Sequence, residues 1–200
     1  EIVSSRAWRQ SAGARPEQVR TDPDNRLLSR ANRHRLGWEE WRDSLVAAAG
    51  VLDTGARGGR GMNPLAQDAM HRRTLYTRLD RQDVPGILRV FDVADPDAAT
   101  HQRARTSVPQ QGLAALNARL VTDAARQAAD RSRREAGAEA GEEARIERLW
   151  RACLSRSPDS TERALAREFL SGAAAGPADF GPWEQLAQAL LASAEFQFTD

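Results

Sequence analysis

Between Phe91 and Asn117 the chain reads FDVADPDAATHQRARTSVPQQGLAALN, the densest run of chemistry-bearing side chains in its 200 residues. Asp92, Asp95 and Asp97 offer carboxylates, Arg103 and Arg105 offer planar guanidinium forks, Thr106 offers a hydroxyl, and Gln110, Gln111 and Asn117 offer amides. A carboxylate pair beside an arginine can move protons, grip a sugar or hold a cation. The same side chains also suit a structural task. Asp92 and Asp95 fall where a helix end and a turn favour short acceptors, and Asn117 falls at a junction between two helical patterns. A second cluster, Asp22, Asn25, Arg26, Arg42 and Asp43, has the composition of a short Arg–Asp network that positions neighbouring elements without reacting. Asp92, Asp95, Arg103, Thr106, Gln111 and Asn117 are therefore the candidate polar site, with the second cluster beside it, and the structural task is the favoured reading for both.

Other motifs carry less. GARGGRG, residues 55–61, has the glycines of a phosphate-cradling loop, but a helical pattern precedes it and no lysine or helix-opening glycine follows in register. It reads as a flexible loop. His34, His71 and His101 lie far apart with no two-histidine helical spacing, so no metal site is expected. His34 sits in RANRHRL, read as an exposed basic helix end where a cation suits the dipole. Cys153 lies one turn from Leu149 and Trp150 on an apolar face, which makes it a core thiol and not a nucleophile. No Cys-x-x-Cys-His occurs, so this segment attaches no c-type haem. Of five tryptophans, Trp38, Trp41, Trp150 and Trp183 occupy apolar helical positions as core anchors, and Trp8 has polar surroundings.

The elements that must carry these residues are mostly helices. Trp38, Trp41, Leu45, Ala48 and Leu52 recur at steps of three and four, with Gly50 as a stop. Before them, Asp22-Pro23 followed by NRLLSRANRHRL reads as a capped helix start, and the two helices should pack as a hairpin. RRTLYTRL alternates polar and apolar and is the single strand candidate. PGILRVFD reads as a short helix. Pro109 opens a helix with Leu113 and Leu116, and another follows Asn117 through Leu120, Val121, Ala124 and Ala128. Residues 134–144 read as an exposed connection or weak helix. Ile146, Leu149, Trp150, Cys153 and Leu154 form an apolar face. Ser157-Pro158-Asp159 starts a helix burying Leu165, Phe169 and Leu170, residues 172–182 form a loop, and Trp183, Leu186, Leu190, Leu191 and Ala194 make the last helix. The opening IVSSRAWRQSA reads as the tail of a helix. The expected fold is mainly α, an irregular orthogonal assembly of seven or eight helices with at most a minor β element. It is read as one domain, 1–200, with a possible subdivision at residues 80/81, cut from a larger multidomain protein.

An apolar fraction of 40% with 28% charged residues suits a globular chain. A net charge of +1 excludes a strong general pull toward nucleic acid or an anionic membrane. All 29 basic residues are arginine, which matches a GC-rich codon bias better than a recognition role. No apolar run approaches the ~20 residues a bilayer requires, and one cysteine excludes an internal disulfide.

DPDNRLLSRANRHRLGWEEWRDSLVAAAGVLD resembles the opening of a C-terminal domain of unknown function found in large planctomycete proteins that often carry a cytochrome-c-like domain. FDVADPDAATHQRARTSVPQQGLAALNARLV resembles that domain's second signature, and LLASAEFQFTD its usual ending. Positions on the pattern include Asp22, Asn25, Arg26, Arg42, Asp43, Asp92, Asp95, Arg103, Thr106, Gln111, Asn117 and Asp200. The RRTLYTRLDR segment departs from it, being short and charged where a longer aromatic strand is usual. The resemblance implies export, a c-type haem in an upstream domain and none in this segment, and no known catalytic residues. Two functions follow as expectations: an accessory or scaffold module whose partners are other domains of the same polypeptide, or part of an enzyme, a haem-linked oxidoreductase or a hydrolase of polysaccharide, built on Asp92–Asn117. A redox partner or a polysaccharide would accompany the second; nucleic acid is not expected.

Overall fold

The structure, a computed structural model, describes residues 1–66, 71–137, 139–172 and 180–199. Among them are nine α-helices: α1 (Pro16–Thr21), α2 (Trp38–Ala48), α3 (Gly86–Val90), α4 (Pro109–Asn117), α5 (Arg119–Ala136), α6 (Glu142–Leu154), α7 (Ser160–Gly172), α8 (Pro182–Ala192) and α9 (Ala194–Gln197). Two-residue strands β1 (His34–Arg35) and β2 (Phe198–Thr199) pair antiparallel, His34 opposite Thr199 and Arg35 opposite Phe198. The fold is mainly α with a minor short β element.

The chain divides into two compact units, Glu1–Leu36 with Phe198–Asp200, and Gly37–Gln197. In the larger unit α5 is central. Val121, Ala124, Ala125, Ala128, Ala129 and Ser132 are buried along it. Such small side chains let α6 and α8 approach closely, bringing Ile146, Leu149 and Trp150 from one and Leu186, Ala187 and Leu191 from the other. Trp38 and Trp41 of α2 are buried with Phe91. Trp41 stacks on Phe91 at 4.6 Å between centroids, and Trp38 meets it edge-on at 5.7 Å, pairings worth ~1 kcal/mol each beyond burial.

Helix α2 starts where the Glu40 carboxylate accepts the Gly37 N–H at 2.8 Å. It stops in a Schellman turn: Gly50 N–H donates to Ala47 and Val51 N–H to Val46, with Gly50 at φ +74°. The same turn closes α3, with Asp92 N–H on Arg89, Val93 N–H on Leu88, and Asp92 itself at φ +55°.

Several sequence expectations are corrected. Residues 22–33 form no helix, so no hairpin precedes α2. Instead α1 ends at Thr21, and the Asp22 carboxylate accepts the N–H groups of both Arg26 and Leu27 at 2.8 Å. Asn25 and Leu28 adopt φ +51°, which a helix forbids. Leu27 and Leu28 are exposed. His34 accordingly lies on a strand, with Thr199 Oγ1 within 3.0 Å of its Nδ1. Ile2–Ser4 is a 3₁₀ turn, not a helix tail. RRTLYTRL is no strand: Thr74–Tyr76 is a 3₁₀ turn flanked by isolated bridges of Arg72 to Asp53 and Thr77 to Met62. In α7 only Ala166 is buried, and Leu165 and Phe169 are exposed. Residues 134–136 and 142–144 belong to α5 and α6. The expected loop 172–182 falls largely outside the described residues, as does Asp200.

Candidate functional site

The second signature stretch is held by its own polar side chains. Both Asp92 carboxylate oxygens accept from Thr106, Oδ2 taking its N–H at 2.7 Å and its hydroxyl at 2.8 Å, which closes the long loop after α3. Arg103 Nη1 donates to both oxygens of Glu39, each 2.9 Å away, fastening that loop to the first turn of α2. Gln111 is buried. Its Nε2 donates to the Val90 carbonyl at 2.8 Å and its Oε1 accepts the Val108 N–H at 3.2 Å, so one amide joins the end of α3 to the start of α4. Asp95 accepts the Asp97 N–H at 2.9 Å in an Asx turn, and Asn117 Nδ2 donates back to the Leu113 carbonyl at 3.0 Å.

The other cluster is split between the units. Asp22, Asn25 and Arg26 lie in the smaller one, where Asn25 Nδ2 donates to the Arg30 carbonyl at 2.7 Å and to Asn32 Oδ1 at 2.8 Å. Arg30 returns its guanidinium to the carbonyls of Asp22 and Pro23. Arg26 contributes its N–H to Asp22. Arg42 and Asp43 lie in the larger unit. Arg42 is fully buried, donating Nε to the Pro64 carbonyl and Nη1 to the Arg72 carbonyl, both at 3.0 Å, and Nη1 also to Thr74 Oγ1 at 3.1 Å. The Thr74 hydroxyl donates onward to Asp43 Oδ1 at 2.6 Å, which also accepts the Thr74 N–H at 2.7 Å. Burial lowers the Arg42 pKa and the neighbouring Asp43 opposes that shift. Arg72 in turn donates to the carbonyls of Arg60 and Gly58, so the glycine-rich loop is anchored by an arginine.

One open cavity of about 530 Å³ adjoins the second signature, lined in part by Arg81, Arg89, Asp92, Asp95, Asp97 and Arg103. Asp92 and Arg103 reach it with their strongest partners already taken. Arg89 is exposed, and its guanidinium forms no hydrogen bond or ion pair among the described residues. Arg81 approaches Asp97 no closer than 3.8 Å. Its wall thus mixes both signs of charge: Arg103 is paired with Glu39, Arg81 lies loosely beside Asp97, and Asp92 and Asp95 are engaged by Thr106 and by a backbone N–H. Among the described residues no group of three or more His, Cys, Asp or Glu is arranged to hold a metal ion, and no helix is long and apolar enough to cross a membrane. Cys153 is buried, and desolvation pushes its thiol up to about 12.

Sequence reasoning missed Thr74, Glu39, Arg81 and Arg89. Thr74 lies 31 residues from Asp43 and Glu39 lies 64 from Arg103. No local spacing signals such pairings.

A mainly helical domain whose signature side chains bind one another is the class these observations define. The chain belongs to the family PSD1, protein of unknown function (DUF1553), whose model matches residues 1–170. The closing segment Leu190–Asp200 lies beyond the matched residues. No curated protein and no solved structure matches the chain.

Proposed function

We propose that this chain is a non-catalytic accessory module that holds neighbouring domains of a larger exported polypeptide, of the planctomycete type in which a cytochrome-c-like domain accompanies it. One observation carries the reading. The second-signature side chains Asp92, Arg103, Thr106, Gln111 and Asn117 each bond to backbone or to another side chain of the same unit. Side chains spent in this way fix loops and leave little to offer a reactant. The second reading, a polysaccharide-acting or haem-linked enzyme, draws on the cavity beside Asp92 and on Arg89 in its wall.

Asp92 separates the two. Asp92→Ala removes both acceptors from Thr106 and forces alanine into φ +55°. Together these cost about 2 kcal/mol, allowing for the exposure of Thr106, or about 4–8 °C in melting temperature for a unit of this size. Asp92→Asn keeps one acceptor and tolerates that φ, so it should lose about half as much. Thermal melting of both variants, with retardation in gels containing soluble polysaccharides, is the test. An Asp92→Ala variant that melts like the parent and loses a retardation the parent shows would sink the module reading. For the larger polypeptide, a Cys-x-x-Cys-His and an export signal in the full reading frame are expected.

A further inference from the structure

Arginine at the end of a helix answers the dipole, whereas arginine at the beginning opposes it. At the corner between α5 and α6 both placements occur. Arg133 and Arg134 lie in the last turn of α5, and Arg145 lies in the opening turns of α6. The three line a cavity of about 450 Å³ with Ala136, Gly137 and Ala140, and that lining includes no carboxylate.

Arg145 is half-buried with its guanidinium 3.8 Å from the Trp183 ring centroid. Its Nη2 donates to the Ala129 carbonyl at 3.2 Å and its Nε to Ser132 Oγ at 3.4 Å. Both acceptors are neutral, and no carboxylate of the described residues lies within ion-pair distance. Burying a cation without a counter-charge is unfavourable. Desolvation lowers its pKa most; the charge of Glu184 opposes that shift, Arg133 adds to it and Asp130 opposes it. Arg133 spends its charge on Asp130 at 2.9 Å. The Arg134 guanidinium forms no hydrogen bond or ion pair among the described residues. Of the two acids in the α6 first turn, Glu143 is engaged with Arg163 and Arg167, and Glu142 forms no ion pair with these three arginines among the described residues.

We infer that this cavity is a binding site for an oxoanion, the phosphate or carboxylate group of a small ligand, held by Arg145 and Arg134 with Arg133 at the rim. A planar fork fixed on an aromatic face and a second, exposed fork beside it suit bidentate oxoanion recognition. The inference is independent of the module reading, since it uses none of the signature residues.

Inorganic phosphate and acetate, titrated by calorimetry into the chain at constant ionic strength held with sodium chloride, test it. Saturable binding with a dissociation constant at or below about 1 mM is expected. Arg134→Gln, which breaks no internal contact, should weaken it about tenfold, and Arg145→Gln should abolish it. Preference for phosphate over acetate assigns a phosphate-bearing ligand, and the reverse assigns a carboxylate. Absence of saturable binding of either anion, or binding that Arg134→Gln leaves unchanged, overturns the site.

Discussion

Replacing Arg42 by methionine keeps an unbranched chain in a fully buried space and removes the fork that joins α2 to the segment ending at Thr74. Among the described residues three hydrogen bonds vanish, to the Pro64 and Arg72 carbonyls and to Thr74 Oγ1. Leaving two buried carbonyls without donors costs about 1–3 kcal/mol each. Relief of the guanidinium's own desolvation offsets part of that, for a net loss of about 3 kcal/mol. For the 37–197 unit this lowers the melting temperature by about 6–12 °C. Arg42→Lys keeps the charge but cannot fork, and should lose about half as much. Thr74→Val removes the hydroxyl that bridges Arg42 and Asp43, at about 1–2 kcal/mol. Urea unfolding followed by far-ultraviolet circular dichroism gives each value. The double variant closes a cycle whose coupling should be about 1 kcal/mol, because the two residues share one bond. An Arg42→Met variant within about 0.5 kcal/mol of the parent, or strict additivity with Thr74→Val, would refute the claim that this signature pair holds the segment by hydrogen bonds.

Other perturbations follow from the same geometry. Ser157, Arg151 and Arg163 hold Glu147 at about 2, and Arg156 holds Glu162 at about 2, both below the ordinary 4.5. Their ionised forms therefore favour folding above pH 4.5, and that contribution is lost as pH falls from 4.5 toward 2. Glu147→Gln with Glu162→Gln should flatten the acid-unfolding curve in that window, and an unchanged slope would count against the assignment. Gly50→Ala puts a Cβ 2.7 Å from Arg131 Cδ at φ +74°, displacing the arginine that caps the Ala47 and Ala48 carbonyls. A loss of about 1–2 kcal/mol in urea is expected, and parental stability would contradict it. Cys153 should resist a thiol-specific disulfide reagent at pH 8 until urea unfolds the chain, so rapid labelling of the folded form would disprove its burial.

The helices legible in the sequence are those whose apolar spacing meets a partner on every repeat. The stripe Trp38, Trp41, Leu45, Ala48 and the faces of α6 and α8 fold as helices, because a stripe of that width has no other way to leave water, whereas Leu52 falls past the end of α2 and Ala194 opens α9 instead of continuing α8. The reading failed where one local signal served two structures. Asp22-Pro23 is equally a helix cap and an Asx-type turn, and the turn won because Asp22 takes two N–H groups while Asn25 and Leu28 pass through positive φ. In α7 the spacing of Leu165 and Phe169 is helical, but they are left exposed and only Ala166 is buried. Periodicity reports a helix, and burial needs a neighbour that periodicity cannot name. The signature residues were visible by type, but their partners were not. Glu39, Thr74 and the Val90 carbonyl meet Arg103, Asp43 and Gln111 only through the tertiary fold.

That distinction bears on what the Asp92 region can do. A general base needs a carboxylate lone pair within reach of a substrate proton. At Asp92 the Thr106 hydroxyl lies within hydrogen-bond distance of both oxygens, and its N–H also engages Oδ2. A reactant that displaced Thr106 from these oxygens would cost the loop after α3 its clasp. Arg103 is likewise committed to Glu39, so pulling it toward a ligand would leave that carboxylate without its close donor. Arg89, whose guanidinium has no partner among the described residues, can bind from the cavity wall without breaking an internal bond. A cation can retain an anionic or hydroxylated ligand, but its permanent charge gives it no proton to exchange near neutral pH. The Asp92 variants will report on loop closure before they report on chemistry.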